Sequence, residues 1–105
     1  RRLMILRMYT TFYYSAASRQ FPLFEIRDGK LFTTEYHPMG YTGLPWYEIH
    51  GNWIYTTEYH PDGAQNSPWY EIRNEQVFTT ASHPKGALKH PFYEIRAETE
   101  HYGAQ

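Results

Sequence analysis

The chain repeats itself every 23 residues, and that period limits its fold more than any other feature of the sequence. Pro22, Pro45, Pro68 and Pro91 open the phrases PLFEIR, PWYEIH, PWYEIR and PFYEIR. A second phrase keeps the same step, as LFTTEYHPMG from Leu31, IYTTEYHPDG from Ile54 and VFTTASHPKG from Val77. One period upstream of Leu31, the stretch MYTTFYYSAA from Met8 reads as a worn copy that retains Tyr9, Thr10 and Thr11. At the other end, residues 97–105 lose the threonine pair and echo only the GAQ of residues 63–65, as expected of a frayed end or a cap. The whole chain, residues 1–105, is therefore expected to be one repeat domain, with units 22–44, 45–67 and 68–90 flanked by partial units 1–21 and 91–105.

Each unit reads as a tight β-hairpin followed by a Pro/Gly-rich loop. The first phrase alternates apolar and charged residues, as in Phe24, Glu25, Ile26 and Arg27, and the second is rich in β-branched and aromatic residues, so both are strands. Asp28-Gly29, Gly51-Asn52 and Asn74-Glu75 separate them, and the first two pairs suit primed turns because they tolerate positive φ. A two-residue loop pairs Ile26 with Leu31, Glu25 with Phe32, Phe24 with Thr33 and Leu23 with Thr34. The recurring isoleucines Ile26, Ile49, Ile72 and Ile95 are expected in the core. The His-Pro-x-Gly that begins at His37, His60 and His83 ends the second strand and reverses the chain. No stretch shows a helical apolar stripe, so the fold class is all-β.

Counting strands raises the question of the ends. First-phrase strands number four and second-phrase strands number four, but only three pairs share a tight turn. The strand near Met8 and the strand Phe92 to Arg96 are each the other's missing half. An unpaired edge strand is sticky, so the N- and C-terminal strands are expected to pair and close a ring of four hairpins. Two alternatives are a dimer joined through those edge strands and an open hairpin solenoid.

Composition narrows the partners. Ten Lys and Arg against eleven Asp and Glu, with no basic run beyond Arg1-Arg2, argue against duplex nucleic acid. The longest mostly apolar stretch, Leu3 to Tyr14, is too short for a spanning helix, so no membrane insertion is expected. With no cysteine there is neither a disulfide framework nor a thiolate metal site, and the compartment is left open. The chain begins at Arg1 and is read as a processed or excised piece, so a missing leader carries no information.

Three repeated groups invite chemistry. Glu25, Glu48, Glu71 and Glu94 form a row, with Arg two positions on in three copies, but four equivalent carboxylates offer one environment rather than the two that acid–base hydrolysis needs. An ion-pair ladder between neighbouring hairpins is the plainer expectation, and the chain is not expected to be an enzyme. His37, His60 and His83 share a repeat position, yet hairpins two strands apart hold imidazoles roughly 9 to 10 Å apart in an open stack, too far to share an ion. Only a closed ring would allow it, and no cofactor or metal is expected. The threonine pairs are explained by strand propensity.

The aromatic residues, 19% of the chain, are the most informative. Trp46, Trp69 and Phe92 follow the repeat prolines, Tyr47, Tyr70 and Tyr93 come next, and Phe32, Tyr55 and Phe78 lie on the facing strand. Neighbouring strand residues face opposite sides, so Trp46 and Tyr47 are not expected to enter one core together. Two aromatic faces follow. One of them, with Trp46, Trp69, Phe92, Tyr55, Glu48 and Glu71, is the candidate surface for a glycan or similar cell-surface ligand, held at several weak, equivalent sites. Burial of that face against returning loops or against a second copy, in a self-associating assembly repeat, is the alternative. In build, the hairpin half of each unit, as in Asp28-Gly29-Lys30-Leu31-Phe32 and Gly51-Asn52-Trp53-Ile54-Tyr55, resembles the choline-binding and related cell-wall-binding repeats of bacterial surface proteins and lysins. That resemblance implies tandem hairpins and carries over no ligand, because the longer period, the Pro-aromatic-Tyr-Glu-Ile phrase and the His-Pro-x-Gly phrase are foreign to that family.

Overall fold

The computed structural model describes residues 2–15 and 19–101. Eight antiparallel strands run in sequence order around a closed barrel: β1 (Arg2–Thr10), β2 (Phe24–Arg27), β3 (Lys30–Thr33), β4 (Pro45–His50), β5 (Trp53–Thr56), β6 (Tyr70–Arg73), β7 (Gln76–Thr79) and β8 (Tyr93–His101). No helix is present among the described residues. The expected tail after Ala97 is instead strand as far as His101, and the GAQ echo of residues 103–105 lies outside the described residues, as do residues 16–18 of the first copy.

Turn chemistry sets the hairpins. Asp28 and Gly29 both take positive φ, 52° and 71°, as do Asn74 and Glu75, 50° and 62°, which matches the right-handed twist of the flanking strands. The resulting β2–β3 register is the one the sequence dictates, with Phe24 opposite Thr33, Glu25 opposite Phe32 and Ile26 opposite Leu31. Successive hairpins are stitched by a repeated backbone bond in which the turn carbonyl accepts from the next unit's isoleucine: Ile49 N–H to Gly29, Ile72 N–H to Asn52 and Ile95 N–H to Glu75, at 2.7 to 2.8 Å.

The fourth hairpin is built from opposite ends of the chain. β1 pairs with β8, Met8 opposite Ile95, Tyr9 opposite Glu94 and Thr10 opposite Tyr93, the same register as in the turn-linked hairpins. The ring is thus closed within one chain, and around the barrel every strand has a neighbour on both sides. Having no tight turn to stop them, β1 and β8 run on as a two-stranded ribbon to Arg2 opposite His101.

Inside the barrel the repeat yields a square of rings. Phe24, Tyr47, Tyr70 and Tyr93 occupy one repeat position, and each ring lies 5.5 to 6.0 Å from the next around the square, mostly edge to face. Met8, Leu31, Ile54 and Val77, also one repeat position, form a fully buried layer beside it. Ile26, Ile49, Ile72 and Ile95 pack against this core but are only half-buried, a correction to their expected full burial. They lie beside the turns, at the end of the barrel where the hairpins reverse.

Candidate functional site

The loop end of the barrel is sealed by the residues that the sequence marked as a ligand platform. Trp46 and Trp69 are 9% and 8% exposed. Their rings alternate with imidazoles along one arc: His37 to Trp46 at 4.7 Å, Trp46 to His60 at 5.2 Å, His60 to Trp69 at 5.0 Å, Trp69 to His83 at 5.2 Å and His83 to Phe92 at 5.7 Å. The expectation that Trp46 and Tyr47 could not both be buried fails here for a local reason. The β3–β4 pairing slips at Leu31/Phe32, and Trp69 and Phe92 sit in bends just ahead of their strands, so the period of two is broken where these rings lie. The returning loops then cover the face that they form.

Each histidine is wired as a loop clasp. Nδ1 of His37, His60 and His83 accepts the backbone N–H of Met39, Asp62 and Lys85 at 3.0 Å. The proton of the neutral ring must therefore sit on Nε2, which in His60 and His83 donates to the hydroxyls of Tyr47 and Tyr70 at 3.1 Å. In the first copy Phe24 stands at the tyrosine position and meets His37 edge-on at 5.2 Å. Burial lowers the pKa of all three imidazoles, that of His83 to about 4 with help from Lys85. Burial likewise raises the phenols of Tyr47, Tyr70 and Tyr93, the last to about 12. The ring does close, which was the condition for a shared ion, but an indole separates each imidazole from the next. No group of three metal-ligating side chains occurs among the described residues.

The threonine pairs anchor these loops, a role that strand propensity alone did not suggest. The second hydroxyl of each pair donates to the carbonyl of its hairpin's proline: Thr34 to Pro22, Thr57 to Pro45 and Thr80 to Pro68, each at 2.5 Å. The first accepts a backbone N–H from the loop, Thr33 from Thr42, Thr56 from Gln65 and Thr79 from Leu88.

The outer wall is open to solvent, and it carries a groove of about 490 Å³ between β1 and the β2–β3 hairpin. Its floor is charged. The Arg7 guanidinium reaches Glu98 at 2.7 Å and Glu25 at 3.4 Å, and Arg27 reaches Glu25 at 3.4 Å while lying 4.1 Å over the Phe32 ring. Glu98 is held below the usual carboxylate range: burial opposes this, but the hydrogen bonds from Tyr9 and Arg7 outweigh it. Three rings form the rim, with Phe21 stacked on Tyr36 at 4.6 Å and Tyr41 beside them, all largely exposed. The threonine anchors place them: Thr34 Oγ1 accepts the Tyr36 N–H at 3.1 Å, and Thr33 Oγ1 fixes the loop at Thr42, next to Tyr41.

One period along, the same groove recurs at about 390 Å³, with Lys30, Pro45, Glu48, Glu58, Tyr59 and Ala64 at the places of Arg7, Pro22, Glu25, Glu35, Tyr36 and Tyr41. It is a reduced version that keeps one of the three rings, Tyr59, with Leu44 and Ala64 at the repeat positions of Phe21 and Tyr41. Another period on, the positions read Trp53, Glu71, Ala81, Ser82 and Ala87.

The expected site residues therefore divide. Glu48 lines the second groove, Tyr55 lies on the outer wall with His50 edge-on at 5.5 Å, and Glu71 pairs with Arg73 at 3.4 Å. Trp46, Trp69 and Phe92 belong to the sealed end. The glutamates pair mainly along their own strands, Glu94 with Arg96 and Glu48 with His50 as well, and the arginines of three copies cover a cross-strand ring. Between hairpins the charge ladder is confined to Arg7 among the ion pairs of the described residues. The sequence reading passed over Phe21, Tyr36, Tyr41 and Arg7. The signal of Arg7, Phe21 and Tyr41 lies where the copies differ, with Lys30, Leu44 and Ala64 one period on. Comparison with family models, with curated proteins and with solved structures finds no match to this chain.

Proposed function

We propose that the chain is a non-enzymatic binding module that holds a glycan or a similar surface ligand in the grooves of its outer wall. The observation that supports this reading is the first groove. Exposed ring faces of Phe21, Tyr36 and Tyr41 stand over a floor whose carboxylates and guanidinium groups are already fixed by one another. Flat apolar faces stack on the C–H face of a sugar ring, and oriented charged groups exchange hydrogen bonds with its hydroxyls. The platform moves from the Trp46 and Trp69 face to this wall, and the reduced groove at Lys30, Glu48 and Tyr59 keeps weaker repeated binding within reach. A glycan array probed with the intact chain and with Tyr36→Ala tests the reading. Retention that is lost in the variant supports it, and no retention on any glycan overturns it.

A second reading, assembly, draws on a different observation. Leu3, Met4 and Leu6 of the ribbon are 40 to 58% exposed, more apolar surface than the rest of β1 shows. Sedimentation across a wide concentration range tests it, a constant monomer mass being the result that removes it.

A further inference from the structure

The groove that carries the proposed function also restricts the charge of what it can hold, and this inference rests on that reading. Two cations and two anions line the groove, Arg7 and Arg27 against Glu25 and Glu35. Three of these are engaged: Arg7 is bridged to Glu98 and Glu25, and Arg27 lies between Glu25 and the Phe32 ring, while Glu35 adds a second carboxylate to the lining. An anionic ligand seeking Arg7 has to compete with two carboxylates already in place and approach Glu35. A cationic ligand on the rim rings meets Arg7 and Arg27 below. Nor do the rings enclose a point, because Phe21 and Tyr36 are stacked on each other at 4.6 Å and each offers only its outer face. Such a cage would need free faces turned toward one centre.

A neutral polyol meets neither conflict. Its hydroxyls donate to the remaining lone pairs of Glu25 and Glu35 and accept from guanidinium N–H groups without displacing any ion pair, while its ring plane lies on an aromatic face. We infer that the groove between β1 and the β2–β3 hairpin is a site for an uncharged oligosaccharide, and that it discriminates against uronic acids and amino sugars. Tyr41 is a specificity-bearing ring, since the second groove has Ala64 in its place, as it has Leu44 at the position of Phe21.

The test uses the intact chain and tetrasaccharides of three charges: glucose, mannose and N-acetylglucosamine tetramers as neutral probes, a galacturonic acid tetramer as the anion and a de-N-acetylated glucosamine tetramer as the cation. Titration calorimetry is expected to find binding of at least one neutral tetramer, with a Kd that changes less than about twofold between roughly 50 and 500 mM NaCl, because no net charge is neutralised. Tyr41→Ala is expected to weaken it by about tenfold or more, and Tyr59→Ala, the control in the second groove, to leave it within about twofold. Both substituted side chains are exposed, and unchanged melting confirms that the variants fold. Binding of only the charged tetramers, a strongly salt-dependent Kd, or no effect of Tyr41→Ala overturns the inference while the glycan reading stands. Absence of binding by every tetramer at millimolar concentration overturns both.

Discussion

The Thr11 hydroxyl on the N-terminal side of the ring donates a 2.8 Å hydrogen bond to the carbonyl of Pro91, eighty residues away in sequence. It is the bond that Thr34, Thr57 and Thr80 make to the prolines of their own hairpins, twelve residues back. The split hairpin thus shares this anchor with the continuous ones, while Thr10 Oγ1, at the place of Thr33, Thr56 and Thr79, is buried without a hydrogen-bond partner among the described residues. Removing residues 1–18 takes away β1, exposes the facing edges of β2 and β8, and opens the Tyr93 corner of the ring square. Hydrogen exchange is expected to show the amides of residues 93–96 losing protection as fully as those of residues 24–27. Retained protection of residues 93–96 would mean that closure contributes nothing to the far end.

At the third turn a side chain sits where glycine is at ease. Glu75 has φ 62°, a left-handed conformation that costs an L-residue about 1 kcal/mol or more, and its carbonyl is needed by Ile95. Glu75→Gly is expected to raise the melting temperature by a few degrees, corresponding to about 0.5 to 1 kcal/mol. Gly29→Val, at φ 71° with the β-branched side chain least suited to it, is expected to lower stability by about 1 kcal/mol or more. Equal melting of both variants and the parent would contradict the primed-turn assignment.

The tryptophans report on the sealed end. Trp46 and Trp69 are buried and Trp53 is 41% exposed, so Trp53→Phe should leave an emission that is blue-shifted and poorly quenched by acrylamide. Trp69→Ala removes the ring between His60 and His83 and is expected to cost about 3 to 5 kcal/mol. A fully quenchable emission in Trp53→Phe would place the rings on a free surface after all.

Acid should loosen the same end. Protonating His60 or His83 puts an N–H against the backbone N–H that Nδ1 accepts, and burial lowers the folded pKa of each below the ordinary 6.5, with Asp62 opposing this at His60 and Lys85 adding to it at His83. In that window the unfolded chain binds protons that the folded chain refuses, so stability falls as pH drops from about 6.5 and, for His83, levels off below about 4. Melting temperatures between pH 7 and 4 should trace this decline, and His83→Gln should flatten part of it. A melting temperature that is constant over the range refutes the wiring of Nδ1 as an acceptor.

Architecture was legible because a period of 23 compares the chain with itself. Asp28-Gly29 set a register that propagated to every hairpin, and the tally of unmatched strands at Met8 and Phe92 favoured a closed ring over a dimer or an open solenoid. The proposed binding wall was not legible in the same way. Trp46 next to Tyr47 followed the alternation rule until the register slip at Leu31/Phe32 turned both toward cover, and such a slip leaves no mark on the pattern of residue types. Phe21, Tyr36 and Tyr41 lie in loops, where no periodicity says which way a side chain points.

The ribbon of β1 and β8 brings Arg2 opposite His101 as direct ladder partners. A two-residue turn is all that antiparallel neighbours need to become one hairpin, so the described chain can be made continuous there without moving a strand. Cut instead at Gly29 or Gly51, such a circular permutant has the same eight strands, the same aromatic square and the same grooves. The barrel has a sequence order but no topological first strand, and the position of its opening is a property of the polypeptide rather than of the fold.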